Sequence, residues 1–86
     1  MTREIIRVHK DTKQTLVDII RDYPAATLRY DDTTYAKPVY HLYSGAKMEG
    51  MFIREELIQT IYKLTDGMRE ITVAKLRDVS QRVEVK

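Results

Sequence analysis

Two histidines, His9 and His41, and a group of cations and flat rings around them in sequence have the greatest chemical potential in this chain. If alternating strands carry Ile6, Val8, Leu28, Tyr30, Tyr40 and Leu42 toward a core, the opposite face displays Arg7, His9, Arg29, Lys37, His41 and Tyr43. Such a face suits single-stranded nucleic acid, because guanidinium and ammonium groups meet phosphates while tyrosine and histidine stack on bases. The glycine-aromatic signature of sheet-type RNA readers is absent. A solvated sheet face, or one that meets a second copy of the chain, uses the same residues without nucleic acid.

Should His9 and His41 fall on neighbouring strands, they form the best general-base or metal pair in the sequence. Two histidines without a third ligand or a carboxylate cluster fall short of zinc and facial-triad sets, so neither metal nor cofactor is expected. The acidic pairs have local explanations. Asp31-Asp32 sits in turn chemistry, and Glu55-Glu56 occupies the first turn of a helix, where the dipole favours negative charge. Gly45 and Gly50 are not spaced as a phosphate loop, and the two serines, Ser44 and Ser80, lie in no nucleophile motif. No catalytic function is expected.

The six tyrosines say more. Tyr30, Tyr35, Tyr40 and Tyr43 concentrate on one predicted hairpin, and alternation sends them to both faces, so they cannot all be core. Tyrosine is enriched at interfaces because its ring buries area while its hydroxyl finds a polar partner. Met48 and Met51, just beyond the hairpin, are either adaptable contact residues or gap fillers.

Composition bounds these options. Eighty-six residues make one domain with a single two-layer core, and 15 basic against 13 acidic side chains leave a net charge of only +2, interspersed along the chain. Bulk electrostatic capture of nucleic acid is thereby disfavoured, although a local cationic face is compatible. With no cysteine, thiolate chemistry, disulfides and cysteine metal sites are excluded. No apolar run is long enough to cross a membrane and no leader pattern is evident, so a cytoplasmic protein is the expectation.

The elements that position these residues follow from periodicity. Glu4 to His9 alternates as a strand. Asp11 is the expected N-cap of a helix with Gln14 completing a capping box, and Leu16, Val17, Ile20 and Tyr23 give its stripe up to Pro24. Ala26 to Asp31 and Tyr35 to Tyr43 read as paired strands, with regular pairing starting beyond Pro38. Ser44 to Gly50 is expected to be a loop. Gly50 to Gly67 carries Ile53, Leu57, Ile61, Leu64 and Met68 at helical spacing, widened by Phe52, Ile58 and Tyr62, with Asp66-Gly67 as a left-handed stop. Glu70 to Leu76 is assigned as a strand, the competing reading being a short helix capped by Thr72.

Strand, helix, strand, strand, helix, strand is the βαββαβ, ferredoxin-like order: an α+β sandwich with an antiparallel sheet carrying two helices on one face. The alternative is a winged helix, with the tyrosine hairpin as wing and helices at Phe52 to Leu64 and Thr72 to Ser80. The functional expectation is a non-enzymatic binding or regulatory module. It would act by self-association or by contact with a protein partner, through Tyr35, Lys37, His41 and Tyr43. The alternative is nucleic-acid binding on Arg7, His9, Arg29, Lys37, His41 and Tyr43.

Overall fold

Pairing of the tyrosine-bearing strands sets the centre of the molecule. In the computed structural model, which describes residues 5–86, β2 (Thr27–Asp31) and β3 (Val39–Ser44) run antiparallel with Leu28 opposite Leu42 and Tyr30 opposite Tyr40. The chain enters β3 directly after Pro38, whose missing N–H keeps it out of the ladder. Ser44 to Lys47 then closes a two-residue hairpin. Gly45, at φ +63°, holds the first central position, where this kind of tight turn requires glycine. The return strand is β4 (Lys47–Phe52). On the other side of β2 lies β5 (Glu70–Thr72), giving an antiparallel sheet of order β4-β3-β2-β5.

Three helices cover one face of this sheet. Leu16 and Ile19 of α1 (Lys10–Asp22), Leu57, Ile61 and Leu64 of α2 (Glu55–Leu64) and Leu76 of α3 (Val73–Val79) pack with Leu28, Tyr40, Leu42 and Ile71. The N-cap of α1 is His9 rather than Asp11: its Nδ1 accepts the Asp11 backbone N–H at 3.2 Å. The buried stripe of α1 runs through Thr12, Leu16 and Ile19, while Val17 faces outward. Thr12 escapes a hydrophobic-pattern reading because its hydroxyl is satisfied by donating to Glu56 of α2. That bond holds the Glu56 carboxyl below its ordinary range.

The α2 terminus behaves as its sequence dictates. Asp66 and Gly67 take φ +54° and +73°, and the Gly67 N–H reaches back to the Tyr62 carbonyl at 2.9 Å. Its beginning does not. Phe52 belongs to β4, Ile53 lies before the helix, and Ile53 and Met68 are both exposed. The two readings of the last segment are both partly right: β5 is short, and the Thr72 hydroxyl then accepts the Lys75 N–H at 3.2 Å to start α3. After a 3-10 turn at Ser80–Arg82, β6 (Val83–Val85) pairs in parallel with β1 (Ile6–Val8), and this small second sheet packs on α1 and α2. Glu4, the expected start of the first strand, lies outside the described residues.

The α+β class therefore holds, with a four-stranded antiparallel sheet under helices. The single-sheet βαββαβ order does not. The glycine turn at Gly45 converts the expected loop into a strand, and the first and last strands pair with each other instead of joining the main sheet. The winged helix is also corrected. The tyrosine hairpin forms the two inner strands of the main sheet rather than a wing, and the described chain has no recognition helix after α3.

Candidate functional site

Alternation in β2 and β3 leaves a second set of side chains on the face turned away from the helices. Two rows cross this open face. One is Met51, His41, Arg29 and Glu70; the other is Met48, Tyr43, Thr27 and Thr72.

The charges in the first row are already paired. The Arg29 Nε lies 3.1 Å from Glu70 of β5, and its guanidinium stands 4.6 Å from the centre of the Tyr43 ring. His41 Nε2 is 3.1 Å from an Asp31 carboxylate oxygen. The other Asp31 oxygen accepts the backbone N–H groups of Thr33 at 3.0 Å and Thr34 at 3.1 Å. These N–H donors, with His41, hold the Asp31 carboxyl well below the usual carboxylate range. An ionised carboxylate only accepts, so His41 carries its proton on Nε2. The His41 Nδ1 is buried and has no hydrogen-bond partner among the described residues.

Asp31 also positions the segment that follows it. With Thr33 and Thr34 tied to its carboxylate, the 32–37 loop brings the Tyr35 ring to 6.3 Å from His41, and the His41 and Tyr43 rings are likewise 6.3 Å apart. Val39 shares this face and is only 4 % exposed, as expected where the loop lies close. The Arg29–Glu70 pair stays accessible, with side chains 51 % and 62 % exposed, and uncharged residues beside it are open as well: Met48 is 54 % exposed, Tyr35 47 % and Met51 40 %.

The structure thus gathers Tyr35, Arg29, His41 and Tyr43 and leaves the other expected residues elsewhere. Arg7 stands on the small sheet opposite Glu84, 3.9 Å away. His9 caps α1 and is not joined to His41, which belongs to β3. Among the described residues, no group of three or more His, Asp or Glu side chains is arranged to hold a metal ion. Lys37 turns toward Glu55, at 3.9 Å, on the rim of a groove of about 310 Å³ that Tyr30, Ile53 and Tyr62 also line.

Two parts of the face escaped sequence reading. Glu70 was unplaced as long as the pairing of β5 with β2 was unknown, and the methionines gained a common face only when β4 formed. A signal for β4 exists in the glycine at the first position of a two-residue turn between apolar runs. No helix of the described chain is long and apolar enough to cross a membrane. Compared with protein-family models, curated proteins and solved structures, the chain matches none.

Proposed function

We propose that this domain is a non-enzymatic module that docks proteins, a second copy of itself first among them, through the open face of its main sheet. The observation that carries this reading is the division of labour on that face. Its ionic groups are paired internally, Arg29 with Glu70 and His41 with Asp31, while Met48, Met51 and Tyr35 are left exposed beside Tyr43. Interfaces favour such a surface, in which aromatic and methionine side chains bury area without desolvating an unpaired charge.

The nucleic-acid reading has less support. It needs free cations on the face, and of the expected arginines and lysine only Arg29 lies in the strand rows, where it pairs with Glu70. Phosphate binding gives affinity that falls steeply with salt; docking through rings and methionines predicts a weak salt dependence.

The test is sedimentation over a concentration series for the wild type, Tyr35→Ala and Tyr43→Ala. The wild-type mass is expected to rise with concentration, and both variants to remain closer to monomer with little loss of thermal stability. Variants that associate as the wild type does would overturn the reading.

A further inference from the structure

The main sheet has two unequal edges. At one, β5 is three residues long and runs straight into α3, which leaves little strand to extend. At the other, β4 is six residues long and ends the sheet order, so its outward backbone groups have no strand partner within the described chain. An exposed edge is a template for another strand unless charge, proline or distortion blunts it. Here Glu49, left without a partner between the Tyr43–Met48 and Leu42–Gly50 pairs, bulges the edge, and Lys47 supplies a charge that Glu49 answers at 3.4 Å.

The residues of this edge have a particular order. From the start of β4 they read Lys47, Met48, Glu49. Turned end for end about Met48, lysine opposes glutamate and methionine opposes methionine. An antiparallel pair of identical strands has this two-fold relation, with residues directly opposite each other on the same side of the sheet. Ala46 belongs to the turn and Gly50 opposes Leu42 on the covered side, so the symmetric segment is Lys47 to Glu49. Met48, which shares the open face with Tyr43, would sit on the axis.

We propose that a second copy of this chain pairs antiparallel with β4 about Met48, joining two four-stranded sheets into one of eight strands. This contact goes beyond the docking reading above: it joins two copies by the edge and leaves their open faces uncovered. Lys47 of each copy then meets Glu49 of the other, and the two open faces become continuous across the junction. A strand pair this short buries less surface than a standard stable interface, so the dimer forms and dissociates readily and is populated at high protein concentration.

A charge exchange between two variants tests it. Lys47→Glu places two acids on the edge, and Glu49→Lys places two bases there. Each variant alone is expected to remain monomeric at concentrations where the wild type dimerises, and an equimolar mixture is expected to recover the dimer mass, since every acid again meets a base. Variants that dimerise alone as the wild type does, or a mixture that stays monomeric, would overturn the register. Tyr35→Ala and Tyr43→Ala separate the two ideas. Loss of association in the tyrosine variants alone keeps the docking face and removes the edge pairing. Loss in the charge variants alone keeps the pairing and removes the face, and a wild type that is monomeric at millimolar concentration removes both.

Discussion

The two faces of the main sheet are built from alternate residues of the same strands and solve opposite problems. Leu28, Tyr40, Leu42 and Ile71 are buried under the helices, and Arg29, His41 and Tyr43, each one residue away from them, face outward. The covered face is held by shape, since removing any of its apolar groups leaves a void between packed layers. The open face is held by polar bonds between neighbours, which fix its charges and leave its methionines and tyrosines available. In the docking reading, stability and recognition are thus separated by a step of one residue along the chain.

The sharpest way to break this separation is to truncate one residue on each face. Leu28 is fully buried, and Leu28→Ala is expected to destabilise the fold by about 2–5 kcal/mol through lost transfer energy and the cavity left behind. Tyr43→Ala removes a half-buried ring that stands under the Arg29 guanidinium, a contact of about 0.5–1 kcal/mol at exposed sites. Urea melts of both variants give the comparison directly. Similar losses at the two positions would mean that the open face is part of the structural core.

Asp31 offers a smaller effect on the open side. Its carboxyl titrates lower in the folded chain than in the unfolded one, so the stability it contributes is fully present above the unfolded value of about 4 and is lost as pH falls through the folded value. Asp31→Asn keeps a side-chain acceptor for Thr33 and Thr34 but removes the charge facing His41. The variant is expected to melt at a lower temperature than the wild type at neutral pH, and the difference to shrink as the pH is taken below about 4. Thermal melts across that range test this. A difference that persists unchanged in acid would assign the effect to altered turn geometry rather than to ionisation.

Much of this arrangement was legible in the sequence where one period or one local signal determines structure. Leu28, Tyr30, Tyr40 and Leu42 announce two paired strands, Pro38 marks where the second begins, and Asp66-Gly67 marks where α2 ends. Expectations failed where a segment satisfies two patterns at once. Gly50 to Ile53 fits the apolar spacing of the helix that follows it, and only the hairpin closed by Gly45 draws Gly50, Met51 and Phe52 into a strand. Partner choice was not legible either. Nothing local tells Val83 to Val85 that β1, rather than the main sheet, is their neighbour, and the separation of Arg7 and His9 from His41 follows from that choice. On the site itself, alternation places Arg29, His41 and Tyr43 on one face, whereas Tyr35 reaches it through the 32–37 loop. Glu70 and Asp31 were not assigned to them, because a neutralising partner from another strand or turn depends on register.

The finest test of the contrast compares two hydroxyls on the same strand. The Tyr40 hydroxyl is buried without a hydrogen-bond partner among the described residues; its neighbour Thr65 donates instead to the Ile61 carbonyl at 2.9 Å. Burial pushes the Tyr40 phenol up to about 12, so it remains neutral, and an unpartnered hydroxyl there carries a desolvation cost with no bond to offset it. Tyr40→Phe removes that hydroxyl and keeps the ring that packs 5.1 Å from Tyr30, so it is expected to leave stability unchanged or to raise it by up to about 1 kcal/mol. Tyr43→Phe, on the face where the docking reading needs a polar tip, is expected to leave folding equally untouched but to weaken association. A loss of about 1 kcal/mol or more in Tyr40→Phe would show that the covered face, too, depends on a polar bond. The separation of shape from polar bonding between the two faces would then fail at its most buried tyrosine.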